Sequence, residues 1–306
     1  MQCPYCDFSI TTEPVKQNDQ KLAHAIVQDL EDSAALIDGR EFSSVYFGGG
    51  TPSLASAEAI AIILDAVKQN PLSKEMEITF EMNPRDVSAN KLSDLSALGI
   101  NRYSLGVQSY NDPELKGLGR NHDKASGIEA TNLLKGMNST IDLIYGTEYQ
   151  TATSFQETLE QFIDSQINHL SLYQLTIEPN TIFYKKELKL PNEDQIEGME
   201  RLARQMLESN GYQQYEVSSW SRPGFESRHN LNYWQFGDFL GLGPGAHSKI
   251  TVGPEITRFR KIKPLNGYIA KQTIADHTII QGEELDMDLA MNLLRIKDGI
   301  LPDHLG

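Results

Sequence analysis

Two cysteines stand two residues apart in the opening stretch MQCPYCDF, and none follows Cys3 and Cys6 in the remaining 300 residues of this 306-residue chain. Thiols at that spacing do redox chemistry or bind metal where the compartment keeps them reduced. A thioredoxin-type dithiol belongs at the end of a strand, opening a helix, and nothing precedes this pair. A mononuclear zinc site needs two further ligands at close spacing, and the nearest histidine, His24, sits on a helix-like stretch without a partner beside it. The pair by itself is an incomplete site.

Other residues with chemical potential recur where apolar runs end. YFGGGTPS, from Tyr46 to Ser53, places three glycines after an apolar run, which uncovers backbone N–H and C=O groups to a polar visitor. A plain flexible turn would look the same, and no GxGxxG fingerprint is present. Glu81 in EMNP, Gln108 in GVQS and Asp142 in IDLIYG follow at the next such ends, with Arg120 in LKGLGRNH. Each alone reads as a solvated or capping residue. Together they would grip a zwitterionic small molecule bearing hydroxyls, with carboxylates on amines or hydroxyls and the guanidinium on a carboxylate. His229 is the most distinctive of the seven histidines because it opens the polar, aromatic run HNLNYW. The alternative there is a structural turn of Asn230, Tyr233 and Trp234; His247 in GPGAHS reads as structural, and His122, His169, His277 and His304 as surface or hydrogen-bonded.

The elements that must position these residues alternate. SSVYFGGG, EITFEMNP, NRYSLGVQS, STIDLIYG and HLSLYQLTIEPN read as five strands. Between them run helical periodicities at Leu22, Ile26 and Leu30; Ile60, Ile63 and Val67; Leu92, Leu95 and Leu98; and Phe155, Leu159 and Phe162. Repeated strand-then-helix units with chemically capable residues at strand C-termini describe an α/β protein built on part of a TIM-type β/α barrel. After about residue 190 the pattern changes to a long helix through Ile196, Met199, Leu202 and Met206, then YQQYEVSS, then an aromatic and glycine-rich stretch. The expected division is a barrel over residues 1–190 and an α+β extension over 191–306. The ending DLAMNLLRIKDGILPDHLG starts an apolar helix and stops, which suggests an incomplete extension.

Composition excludes several classes. A net charge of -15 argues against a nucleic-acid or anionic-membrane partner. No apolar run nears the roughly 20 residues of a membrane span, and the first residues lack the features of a signal peptide. The expected compartment is the cytoplasm.

In order and spacing, CPYCDF, GGGTPS, EMNP, INRYSLGVQS, LGRNH and IDLIYG resemble the radical S-adenosylmethionine (SAM) enzymes of the oxygen-independent coproporphyrinogen III oxidase group. The likeness runs along nearly the whole chain. CPYCDF and HNLNYW are similar to the HemW-type heme chaperones of that group rather than to its true oxidases, which carry a further cysteine where this chain has Asp7. The resemblance implies a six-stranded partial barrel and a C-x3-C-x2-C motif whose three thiolates hold a [4Fe-4S] cluster, with the fourth iron open to SAM. Cys3 and Cys6 match its second and third cysteines. The first would fall upstream of Met1, as would the first strand, so the expectation is an N-terminally shortened chain, with a degenerate cluster site as the alternative.

Carried over, the resemblance implies that Gly49, Gly50 and Thr51 meet the methionyl end of SAM and that Tyr5 lies toward its adenine. Glu81, Gln108, Arg120 and Asp142 complete the pocket, with Arg120 facing the carboxylate. After the IDLIYG strand this chain has Thr147 and Glu148 where the family often has Leu-Pro. His229 is implied as an axial ligand of heme, through a neutral imidazole. The implied function is a chaperone that binds the cluster, SAM and heme, takes electrons from a donor protein and passes heme to a heme-requiring acceptor. The alternative within the same group is a radical oxidase that decarboxylates a porphyrinogen propionate.

Overall fold

The computed structural model describes residues 3–7, 15–270, 274–297 and 299, with side chains at 15–18 left aside. His304 lies outside the described residues.

Five parallel strands form the main sheet: β1 (Phe42–Phe47), β2 (Leu72–Met82), β3 (Arg102–Gln108), β4 (Ser139–Tyr145) and β5 (His169–Gln174). They correspond to the five runs identified in the sequence. The sheet then continues through two short antiparallel strands, β6 (Gln213–Glu216) and β7 (Ser219–Ser221), in the order β1-β2-β3-β4-β5-β7-β6. Helices over Ala57–Val67, Ala89–Leu98, Lys124–Leu133 and Ala152–Ser165 form the crossovers that parallel pairing demands. Their ends are written locally. Ser56, Ser88, Asp123 and Thr151 cap the N-termini by accepting a backbone N–H, and Gly99 ends its helix at φ +102°.

The period of two along the strands divides the molecule. Phe80, Met82, Leu105, Val107, Ile141, Leu143, Leu170 and Leu172 point one way and pack with helix residues such as Leu64, Leu95, Leu159 and Leu207 into one apolar core. The intervening residues, Glu77, Thr79 and Glu81 on β2, Arg102, Ser104, Gly106 and Gln108 on β3, Thr140 and Asp142 on β4, His169 and Ser171 on β5, share the opposite, inner face. Register sets Glu81 opposite Ser104, Gly106 opposite Asp142, and Asp142 opposite Ser171. The inner face is polar because it lines the hollow of the curled sheet rather than the helical shell.

Two regions differ from the sequence reading. HNLNYW forms a short helix, Arg228–Trp234, capped by Ser227. The aromatic and glycine-rich stretch leads into a separate antiparallel sheet of β8 (His247–Val252), β9 (Glu255–Lys261) and β10 (Ile274–Ile280), ordered β10-β9-β8. Its loops conceal the alternation: Gly241, Gly243 and Gly245 precede β8, and Gly253 closes the β8–β9 turn at φ +57°. Asp29 ties this part to the rest of the chain, accepting from Lys261 Nζ at 2.5 Å and from Tyr268 Oη at 2.6 Å, all three buried. No helix among the described residues is long and apolar enough to cross a membrane.

Candidate functional site

Cys3 and Cys6 lie on one tight turn closed by the Cys6 N–H donating to the Cys3 carbonyl at 3.0 Å, and they are not joined in a disulfide. The turn is fastened to the barrel by the Phe183 N–H, which donates to the Pro4 carbonyl at 3.0 Å. Arg120 reaches it from the other side. Its Nη1 lies 3.4 Å from Cys3 Sγ and 3.3 Å from Tyr5 Oη, while Nη2 donates to the Gly106 carbonyl at 2.7 Å. Burial raises the Tyr5 phenol above its ordinary range, opposed by the Arg120 charge.

The glycine run follows β1. Gly49 takes φ +106°, and a Cβ on Gly49 or on Gly50 would meet nothing within 4 Å. Gly48 differs: a Cβ there would stand 2.7 Å from Tyr46 Cε1 and 3.0 Å from Glu81 Oε1. Glu81 accepts from Tyr46 Oη at 2.8 Å on one oxygen and from the Gly49 N–H at 3.2 Å on the other. Ser53 Oγ donates to Asp86 at 2.6 Å, linking the GGGTPS loop to the turn after EMN. Thr51 is exposed beside the run.

Glu81 and Asp142 share the mouth. Burial raises the Glu81 carboxyl to about 7, with Asp142 adding to the rise and the bonds from Tyr46 and Gly49 opposing it. Asp142 is also raised by burial, against the hydroxyls of Ser104, 2.6 Å away, and Ser171 and the charges of Arg102 and Arg120. Gln108, at φ +71° where β3 bulges against β4, turns at the same rim. The structure thus brings Glu81, Gln108, Arg120 and Asp142 to one end of the polar face, with the cysteine turn joined to them through Arg120. Two buried carboxyls with no ion pair among the described residues, beside the Arg120 guanidinium, suit a ligand with an ammonium at one end and a carboxylate at the other.

His229 stands at the same hollow. Its ring stacks on Tyr46 at 4.4 Å between centroids and 20° between planes, and meets Tyr233 edge-on at 4.9 Å. Burial, with the nearby charge of Arg102, lowers its pKa to about 4, so the imidazole is neutral. Below it, Glu77 accepts from the backbone N–H groups of Arg228 and His229 at 3.2 and 3.1 Å and from Ser227 Oγ at 3.4 Å. Arg102 Nε is 3.8 Å from the same carboxylate.

Tyr46, Glu77 and Arg102 were not legible as site residues, since their partners lie 25 to 183 positions away along the chain. His169 is buried between Thr140 Oγ1 at 2.7 Å and Tyr215 Oη at 2.9 Å, with its pKa pushed well below the ordinary value by burial. His122 is buried against the Val107 carbonyl at 3.0 Å, whereas His24, His247 and His277 are exposed.

Comparison with known proteins meets this geometry. The family model of the radical SAM superfamily matches residues 1–162. The chain belongs to the radical SAM superfamily. Within it, the HemW heme chaperone of Haemophilus influenzae is 39% identical, the match covering 98% of this chain and 80% of that protein. The Escherichia coli HemW heme chaperone is 37% identical over 96% of this chain and 79% of its own length. Among solved structures, the coproporphyrinogen III oxidase HemN of Escherichia coli, a radical SAM enzyme, superposes with a TM-score of 0.81 at 24% identity, covering 97% of this chain and 73% of that one. That likeness shows the fold, a radical SAM partial barrel, and agrees with the curled sheet described above.

A radical SAM protein implies an iron–sulfur cluster and SAM, and the residues present fit SAM and offer two thiols to the cluster. Two thiols share one turn, the Gly49–Gly50 backbone is uncovered on its outer side, and Arg120 Nε is buried with no hydrogen-bond partner among the described residues. Among the described residues no group of three or more His, Cys, Asp or Glu is placed to hold a metal ion.

Proposed function

We propose that this protein is a heme-trafficking chaperone that holds a [4Fe-4S] cluster and SAM at the barrel mouth, takes heme as cargo on His229 and passes it to a heme-requiring acceptor. The observation that carries the reading is the neutral, ring-clamped imidazole of His229 at the same hollow as Glu81. HemW-type identity along nearly the whole chain supports it.

In this reading Cys3 and Cys6 supply thiolates to the cluster. Gly49, Gly50 and Thr51 offer main-chain polar groups to the methionyl end of SAM. Glu81 takes its ammonium, Arg120 its carboxylate, and Gln108 and Asp142 its ribose hydroxyls, with Tyr5 toward the adenine. When bound, the cluster provides an open iron for SAM and a means of accepting one electron from a donor protein. Arg120 holds the cysteine turn and the SAM carboxylate in one frame. The buried surroundings of Glu81 and Asp142 exclude water and strengthen each charged contact. A neutral imidazole presents the lone pair that heme iron requires. In this reading the division falls near residue 190: the five parallel strands precede it, and the extension after it adds β6 and β7 to the same sheet and brings His229 to the hollow. Thiols that must stay reduced support a cytoplasmic protein in this reading.

Hemin titration of the purified, cluster-reconstituted protein tests the reading. A Soret band that weakens by about tenfold or more in affinity for His229→Ala is expected. Conversion of coproporphyrinogen III in the presence of SAM and a reductant would instead establish the oxidase.

A further inference from the structure

Tyr46 touches both Glu81 and His229. Its hydroxyl donates to Glu81 Oε1 at 2.8 Å, and its ring lies face to face with the His229 imidazole at 4.4 Å. Among the described residues no hydrogen bond reaches the imidazole nitrogens, so Tyr46 on its face and Tyr233 on its edge set the direction in which they point. Gly48 keeps the bridge intact, because any larger residue there would push into the Tyr46 ring and the Glu81 carboxylate together.

We infer that Tyr46 is a positioning residue that couples the two ligands: SAM on Glu81 tightens heme on His229, and the effect passes through the Tyr46 hydroxyl. This rests on the function proposed above. An ammonium arriving at Glu81 holds that carboxyl in its charged form, and a phenol donates more strongly to a carboxylate than to a neutral acid. The stronger bond anchors the Tyr46 ring, and the anchored ring holds the imidazole at the angle iron needs. Without the ammonium, Glu81, whose carboxyl burial raises to about 7, is partly protonated, and the anchor is weaker. The ligand therefore interacts differently with two arrangements of one side chain, which is the condition for coupling. By linkage the same factor must act in reverse, so that hemin tightens SAM.

The test is hemin titration of the cluster-reconstituted protein, with and without saturating SAM, for the wild type, Tyr46→Phe and His229→Ala. The expected result is a wild-type hemin affinity about five- to tenfold higher with SAM, and an effect below about twofold in Tyr46→Phe, which keeps the stacked ring and loses the hydroxyl. An undiminished SAM effect in Tyr46→Phe overturns the inference, as does a wild type that binds both ligands with no mutual effect. Measuring SAM affinity with and without hemin on the wild type checks the same coupling without any variant, and a SAM affinity that hemin leaves unchanged also overturns it. Hemin binding unchanged in His229→Ala marks the different failure, that of the heme site itself.

Discussion

The guanidinium of Arg120 lies 3.4 Å from the thiol of Cys3 although 117 positions separate them, and the same group grips the Gly106 carbonyl at 2.7 Å. It therefore joins the cysteine turn to the inner rim of β3. A lysine carries the charge but lacks the planar fork that serves both sides at once. Arg120→Lys is expected to weaken SAM binding by about tenfold or more, in line with losing one partner of a partly buried charged hydrogen bond. Equilibrium dialysis with labelled SAM measures this. An affinity within twofold of wild type would show that Arg120 does not hold the ligand.

Glu81 should give SAM binding a pH dependence. Burial lifts its carboxyl to about 7, and only the ionised form pairs with an ammonium. Affinity should fall by about tenfold per pH unit below 7 and level off above it. Stability should move the opposite way. The folded protein holds this proton more tightly than the unfolded chain, so Glu81 contributes most below its unfolded value of about 4.5, and that contribution is lost as pH rises through 7. Glu81→Gln should bind SAM weakly at all pH values and flatten both profiles. Calorimetric titrations together with urea unfolding across pH check the pair of opposite slopes.

How much of this could be read in the sequence follows from the range of the interactions involved. Glu81, Gln108 and Asp142 were visible because a strand's alternation fixes the face of each residue and the turn after it fixes the end, both local matters. Asp142 keeps its place on the inner face despite Thr147 and Glu148 beyond the strand. Tyr46 read only as the start of a glycine loop, since its role comes from Glu81 and His229, brought near by folding. HNLNYW read as a loop or turn because a seven-residue helix has little propensity of its own. Its Ser227 cap is local, but the carboxylate under its first N–H groups comes from Glu77 on β2. β8–β10 escaped notice because glycine-rich loops interrupt their hydrophobic period.

The three glycines of GGGTPS should not respond alike to alanine. At Gly48 the new methyl must displace the Tyr46 ring and crowd Glu81, an overpacking change that costs about 1–3 kcal/mol. At Gly50 the methyl meets nothing within 4 Å, so Gly50→Ala should change stability by no more than about 0.5 kcal/mol. Urea unfolding of the two variants reads the difference. Equal, small effects would mean that the Tyr46–Glu81 contact is loose enough to yield.

Glu77 and Arg102 form the floor beneath the site. Both are buried, their charged groups are 3.8 Å apart, and Arg102 Nε and Nη2 have no hydrogen-bond partner among the described residues. Glu77 also satisfies the first N–H groups of the His229 helix. Glu77→Gln keeps the shape but leaves Arg102 as an uncompensated buried charge, so a loss of about 3–5 kcal/mol is expected. Removing that charge as well should restore part of the loss, because the cost belongs to the unpaired guanidinium. The double variant Glu77→Gln with Arg102→Met should thus be more stable than Glu77→Gln alone, and a double-mutant cycle by denaturant unfolding gives the interaction energy directly. Strict additivity would assign the role of Glu77 to the helix N-terminus alone. The hemin titration then separates the two consequences, since loosening the helix start moves His229 whether or not Arg102 is charged.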